Sequence, residues 1–385
     1  MNISEFTTIL NDKHFCNLKK LKYKYPALFD EFLSEFKKLY LKPIELLDFN
    51  GDNVVTSQLS AINNKSVKFL LKEQKKRYSI KAATEEIAST SAIESIDFNR
   101  ESIKSILKGI APRDEQEVRI LGQKKGLDFI SNSSNKITEE NIYKLYMMTV
   151  GDFLADESKL SAGSFYRDGE VFVVSDKLEH SGLDYKKLPQ YMKSLVEFIN
   201  SDNIEDDLAK AAVIHFYFAY LHPYFDGNGR MARLLHLWFL IQMGYHTTLF
   251  VPFSSYIQET RSDYYNAFTL VEENSRISGV LDVTPFVKYF AENVYNKMPE
   301  KEMTDNTFSE YKEHLMKGEI TDKEASLWAF VVSFYGNEEF STKQLEKEYS
   351  DVAYATIRKF VLKFESWGLL SSRKAGNRVR YRIIN

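Results

Sequence analysis

Cysteine is almost absent from this chain: Cys16 is the only one in 385 residues, so no internal disulfide can form. That usage suits a reducing compartment and removes the small disulfide-framed folds from consideration. Membrane-length apolar runs are missing too. Leu234 to Gln258 carries no formal charge, but His236, Gln242, Gly244, His246, Thr247, Thr248 and Pro252 interrupt it. Its continuous apolar part is too short to cross a bilayer, so it reads as a buried helix followed by a loop, and no membrane partner is expected. Neither sign of charge dominates. A net charge of -3 argues against a chain that coats nucleic acid as a whole, although a local basic face fits within that sum. The opening residues, MNISEFTTILNDKHF, lack the basic and then apolar regions of a signal peptide, which leads to an expected cytoplasmic location. There is no internal repeat, no Walker GxxxxGK[ST] and no HExxH, so neither a P-loop nor that zinc site is expected.

The residues that are present, 44% hydrophobic and 27% charged, suit a soluble globular chain long enough for two or three domains. Helical periodicity dominates up to Met298, as in residues 31–41, EFLSEFKKLYL, and 101–110, ESIKSILKGI. The exception is Arg167 to Ser175, RDGEVFVVS, where an Asp-Gly turn precedes a β-branched run and predicts a hairpin. Near Pro299 the chain becomes charged and polar, PEKEMTDNT, which marks a linker. The expected division is an N-terminal helical region over 1–84, a core over 85–298, a linker over 299–318 and a last domain over 319–385.

In that last domain KEASLWAFVVSFY predicts one helix, and Ser341 with Gln344 forms a capping-box pattern that opens a second. Ala353, Ile357, Phe360, Val361 and Phe364 give the apolar stripe of a third, ended by Gly368. Alternation around Ala375-Gly376-Asn377 then predicts a two-stranded wing. The expected fold class is therefore mainly α, with a hairpin in the core and a C-terminal winged-helix (α+β) domain. The wing is basic through Arg373, Lys374, Arg378, Arg380 and Arg382, with no acid after Glu365. It fits DNA phosphates, with Tyr354, Thr356, Arg358 and Lys359 on the reading helix, and equally a protein-docking role with a solvated basic face.

HPYFDGNGR, residues 222–230, is a polar interruption between two strongly apolar helical segments. Pro223 disfavours the α conformation at His222, so the first helix should stop there. The second should begin near Asn228 or Gly229, where free backbone N–H groups and two glycines form an anion cradle. Arg230 and Arg233 lie three apart in its first turns and reach the same side. Cations there oppose the helix dipole, which makes sense with a multiply charged anion in place. Asp226 supplies one carboxylate, enough for Mg²⁺ shared with phosphate oxygens and water, and His222 can accept a proton. Together these imply phosphoryl or nucleotidyl transfer to a hydroxyl. His215 and His236, on the flanking helices, read as core histidines.

The segment resembles the Fic family signature H-P-F-x-[D/E]-G-N-G-R-x-x-R, matching from His222 to Arg233 except that Tyr224 replaces phenylalanine and needs a partner for its hydroxyl. The resemblance extends over roughly residues 85–298, with RDGEVFVVS similar to the family's flap. It implies a mostly helical Fic domain and protein adenylyltransfer. His222 would deprotonate a Ser, Thr or Tyr hydroxyl of a target protein docked at the 167–175 flap, and that oxygen would attack the α-phosphate of ATP. Asp226 would hold Mg²⁺, Gly227, Asn228 and Gly229 would stabilise the α-phosphate, and Arg230 and Arg233 would hold the β- and γ-phosphates. Tyr264 and Tyr265 would line the adenine pocket. Where the family's flap is followed by Pro-Pro, this chain has His180-Ser181-Gly182.

Residues 90–95, TSAIES, resemble the family's inhibitory pattern [S/T]-x-x-x-E-[G/N], with Thr90 and Glu94 matching and Ser95 departing. The resemblance implies autoinhibition, with Glu94 paired to Arg233. On the residues alone, Ser91-x-x-Glu94 is equally a capping box. Two further functions stay open: removal of AMP from a modified target, and a DNA-binding regulator whose site senses nucleotide. The target and the oligomeric state, a homodimer included, are not legible.

Overall fold

The computed structural model describes residues 1–57, 71, 80–174, 179–201, 206–245, 248, 251–298, 306–335, 339–349, 352–375 and 378–384. Within them the chain is mainly helical, with three two-stranded antiparallel sheets.

Three short helices come first, α1 (Ile3–Leu10), α2 (Leu18–Lys24) and α3 (Phe29–Tyr40). Asn2 opens α1 with a capping box to Glu5. These helices enclose their own apolar cluster of Ile9, Leu18, Leu21, Phe29, Phe32 and Phe36. A hairpin follows where helix was expected: β1 (Lys42–Leu47) pairs with β2 (Asn53–Thr56), and the turn runs through Gly51 at φ 90°. Val55 then bridges to Asp282, which ties this hairpin to the main body.

The central body contains α4 (Ile80–Ile93), α5 (Arg100–Leu107), α6 (Glu115–Ser131) and α7 (Glu139–Thr149). The flap hairpin follows, β3 (Phe172–Val174) with β4 (Glu179–Ser181), and then α8 (Leu188–Ile199). Next come α9 (Asp207–Leu221), α10 (Asn228–Gln242), α11 (Phe253–Glu259), α12 (Arg261–Ser278) and α13 (Thr284–Tyr289), continued by a π-helical stretch, Phe290–Tyr295. The helix pair α9 and α10 is the centre of the packing. Both are buried on nearly every side, as helices apolar all round must be. His215 and His236 face each other inside this core, each hydrogen-bonded to a tyrosine: His215 Nε2 to Tyr264 at 2.9 Å, His236 Nε2 to Tyr295 at 2.9 Å.

The flap hairpin reaches beyond the expected stretch, because its return strand is Glu179–Ser181. Ser175, the expected end of the flap, lies outside the described residues, as do 299–305 of the expected linker. The rest of that linker carries a helix, α14 (Asn306–Met316), whose Tyr311 joins the C-terminal apolar cluster.

The C-terminal unit is α15 (Asp322–Phe334), α16 (Thr342–Tyr349), α17 (Tyr354–Ser366), then β5 (Leu370–Ala375) paired with β6 (Arg378–Ile383). Ser341 and Gln344 exchange the expected capping bonds. Ile357, Phe360, Val361 and Phe364 are buried, and Gly368 turns the chain at φ 73°. Phe340 bridges Tyr381 at the hairpin's edge. Gly376 and Asn377, at the expected wing turn, lie outside the described residues. Among the described residues no helix is long and apolar enough to cross a membrane.

Candidate active site

Asp206 caps α9 by accepting from the N–H groups of Leu208 and Ala209. After fifteen helical residues, Asp207–Leu221, the helix ends with His222 as its C-cap, because Pro223 cannot follow a helical residue easily. His222 takes the left-handed conformation, φ 54° and ψ 60°, which costs a residue with a Cβ about 1–2 kcal/mol. Its Nδ1 lies 3.3 Å from the Ala219 carbonyl oxygen. A carbonyl can only accept, so Nδ1 carries the proton and Nε2 keeps its lone pair. Burial, followed by the neighbouring His180, pushes the imidazole down to about 4. His222 is therefore neutral at physiological pH, in the form that accepts a proton.

The loop is held by Asn228, which is buried and turned inward. Its Oδ1 accepts from Tyr224 N at 2.9 Å and its Nδ2 donates to Tyr224 O at 2.8 Å. The Asn228 side chain thus shapes the loop, which leaves its backbone N–H for an anion. Gly227 caps α10 at φ 83° with no side-chain cap bond, so the helix begins with open donors. Tyr224 is fully buried and stacks on Tyr146 with ring centroids 3.6 Å apart. Among the described residues neither hydroxyl has a partner, contrary to the expectation for Tyr224.

The cations lie beside this cradle. Arg230 reaches Asp226 Oδ2 at 3.4 Å, and its Nε has no partner among the described residues. Arg233 is buried. Its Nε donates to Thr90 Oγ1 at 2.7 Å, and its second terminal nitrogen donates to Thr90 O at 3.1 Å and Glu94 Oε1 at 2.6 Å. Glu94 directly follows α4, so it caps no helix start. Its carboxylate stands against Gly229, where a Cβ would collide with Oε1. An acid therefore occupies the anion site that the loop was expected to form. Ser95 adopts φ 61°, the left-handed region that glycine and asparagine enter most readily. That explains physically why the pattern favours those two residues there.

Helix α4 is fixed from behind by Glu86, buried and accepting from Ser254 N at 2.8 Å and Ser254 Oγ at 2.5 Å. Tyr264 faces the core, 2% exposed, while Tyr265 is 37% exposed and donates to the Ile93 carbonyl at the end of α4 at 3.4 Å. Sequence reasoning missed two residues of the flap. Arg167 is buried against the His222 carbonyl at 2.7 Å, and His180 bridges Glu272 Oε1 at 2.7 Å and Tyr220 O at 2.8 Å. The only signal for His180 was its place in the departure from Pro-Pro.

This geometry has known relatives. Residues 136–240 match the Fic/DOC family. The loop from His222 to Arg233 lies inside that matched segment. The chain is 25% identical over 195 residues to the Caenorhabditis elegans protein adenylyltransferase fic-1, a match covering 49% of this chain and 34% of that protein. It is 27% identical over 258 residues to the Drosophila ananassae protein adenylyltransferase Fic, covering 65% and 45%. It is 28% identical over 119 residues to a probable protein adenylyltransferase of Aquifex aeolicus, covering 30% and 37%. The chain thus spans between a third and a half of the length of these curated relatives. A crystal structure of a Fic family protein from Desulfovibrio desulfuricans superposes with a TM-score of 0.50 at 18% identity, covering 79% of this chain and 86% of that one. It shares the mainly helical fold.

Proposed function

We propose that this chain transfers AMP from MgATP to a hydroxyl of a target protein, and that Glu94 holds the enzyme autoinhibited. The observation that carries the reading is the pairing of a neutral His222, its Nε2 free to take a proton, with an anion cradle at the start of α10. His222 takes the target's hydroxyl proton, the oxygen bonds to the α-phosphorus, and the bond to pyrophosphate breaks. The Gly229 and Asn228 N–H groups and Arg230 counter the charge that builds on the phosphate oxygens. Arg233 would meet the terminal phosphates once Glu94 releases it.

Among the described residues no group of three or more His, Cys, Asp or Glu could hold a metal alone. Asp226, with its side chain 58% exposed at the cradle's mouth, fits a Mg²⁺ ion whose other ligands are phosphate oxygens and water. Such an ion neutralises phosphate charge.

Glu94 inhibits by taking the place and the partner of an anion. An ordinary coupling of roughly 1–3 kcal/mol corresponds to about 5–150-fold in activity. A second reading, hydrolytic removal of AMP, draws on the same residue, since a carboxylate beside the cradle can hold a water. ATP labelled on the α- or the γ-phosphate separates the outcomes: α-label on protein supports adenylyltransfer, γ-label a kinase, and no label under any condition a nucleotide sensor.

For the C-terminal unit we propose a winged helix that docks a macromolecule. Its basic face is partly spent within the chain: Arg373 pairs with Glu339 at 2.7 Å, and Arg380 with Gln344. Lys374 and Arg382 stay exposed. This engagement favours a protein partner over DNA.

A further inference from the structure

Arg167 is among the largest fully buried side chains of the protein, at 2% exposure, and the chemistry of adenylyl transfer described above gives it no role. A buried guanidinium is ordinarily matched by a carboxylate. Among the described residues Arg167 has no ion pair, although Glu170 and Asp184 are near enough to influence it. Every hydrogen bond its side chain makes among the described residues goes to a backbone carbonyl. Nε donates to His222 O at 2.7 Å, one terminal nitrogen donates to Gly169 O at 2.6 Å, and the other donates to Leu183 O. Its own backbone N–H donates to Pro223 O at 3.0 Å. The two carbonyls on either side of the His222–Pro223 step are thus both held by one residue.

The other two anchors belong to the flap's base. Gly169 enters the hairpin, and Leu183 leaves it, its N–H returning to Leu221 O at the end of α9 at 3.2 Å. Gly182 lets the three parts approach: a Cβ there would stand 2.7 Å from the guanidinium and 3.1 Å from His222 Cβ. What is being held is a strained conformation. His222 has a Cβ yet sits at φ 54°, and such residues persist where their surroundings over-determine them. Fixing the carbonyl fixes ψ, and with it the direction from which the imidazole leaves the backbone.

We propose that Arg167 is a positioning residue for His222, a clamp that locks the left-handed conformation and so sets where the imidazole stands relative to the α10 cradle. The proposal deepens the adenylyltransfer reading and rests on it for its catalytic consequence. The clamp uses the planar fork of arginine. Lysine would keep the charge but not the three directed bonds.

The test compares Arg167→Met and Arg167→Lys in the full-length Glu94→Gly background. Three quantities are measured: His222 φ by crystallography, ATP affinity and stoichiometry by calorimetry, and single-turnover α-label transfer per bound ATP. The expected result is that His222 leaves the left-handed region in Arg167→Met and the rate per bound ATP falls on the order of 100-fold, as for a misplacement of about 1 Å, while ATP affinity is kept. Arg167→Lys should give a smaller loss, and it decides the matter if the methionine variant does not fold. A merely structural role would lower the fraction of protein that binds ATP and leave the rate per bound ATP alone, which would overturn the proposal. His222 remaining at its φ in both variants would also overturn it. If the Glu94→Gly parent transfers no AMP, the adenylyltransfer reading fails, and the crystallographic comparison still decides the clamp.

Discussion

Acid should destabilise this protein through three histidines that it buries neutral. Burial pushes His222 down to about 4 and His236 to about 3, and it holds His215 well below its ordinary value of 6.5. Each folded-state value lies below the unfolded one, so the unfolded chain takes up protons first as pH falls. Stability is therefore full above about pH 6.5 and declines below it, at up to about 1.4 kcal/mol per pH unit for each histidine. At about pH 5 each has cost up to ~2 kcal/mol by that slope. Two acids oppose the trend. Burial raises Asp282 to about 6 and raises Glu86, so the folded state takes their protons first. Asp282 returns about 1.4 kcal/mol by pH 5, and Glu86 acts in the same direction. The histidines outweigh Asp282, leaving a net loss of up to about 4.6 kcal/mol before the opposing effect of Glu86, a large part of an ordinary folding free energy. Urea unfolding between pH 7.5 and 5 measures it. A His215→Gln, His236→Gln double variant should flatten the slope by up to about 2.7 kcal/mol per pH unit. Stability independent of pH over that range, or an unchanged slope in the double variant, would refute the assignment.

Further outcomes follow from the same geometry. Ser95→Gly should relieve the left-handed residue after α4 and raise stability by about 0.5–1 kcal/mol by thermal unfolding, with inhibition retained because Glu94 stays in place. In the Glu94→Gly variant, transfer should not fall with acid until well below the ordinary histidine range, because His222 sits at about 4; a midpoint near 6.5 in the pH–rate profile would contradict a buried base. If the wing contacts DNA, a Lys374→Ala, Arg382→Ala pair should reduce the slope of log affinity against log salt by about 1.8, whereas Arg373→Ala should not, since Glu339 already holds that guanidinium. No effect of the pair favours protein docking.

The loop His222 to Arg233 was legible because its chemistry demands particular residue types at fixed spacing. The stop at His222 and the start at Asn228 follow from Pro223 and the glycines. Helix α17 could be read from apolar periodicity alone, and α9 from a continuous apolar run that stops at Pro223. The hairpin Lys42–Leu47 with Asn53–Thr56 was missed, although Asn50-Gly51-Asp52 between Leu46 and Val54 is a turn signal between short apolar runs. The flap's return strand, Glu179–Ser181, has no alternating pattern of its own, and only its partner defines it. Arg167 was invisible for a different reason: an arginine's burial depends on carbonyls that are distant in sequence, 55 residues away at His222. That Glu94 caps no helix start depends on where α4 ends, a boundary that spacing does not fix.

The central claim is that His222 catalyses AMP transfer and Glu94 restrains it. The most direct measurement is incorporation of label from α-phosphate-labelled ATP into protein by wild type, Glu94→Gly, and the Glu94→Gly, His222→Ala double variant, each checked for folding and ATP binding. The account predicts weak labelling in wild type, an increase of about 5–150-fold in the single variant, and a fall of about 10²–10⁴-fold from that level in the double variant with ATP binding kept. A folded, ATP-binding Glu94→Gly protein that labels no better than wild type, or a double variant that labels as well as the single one, would contradict it.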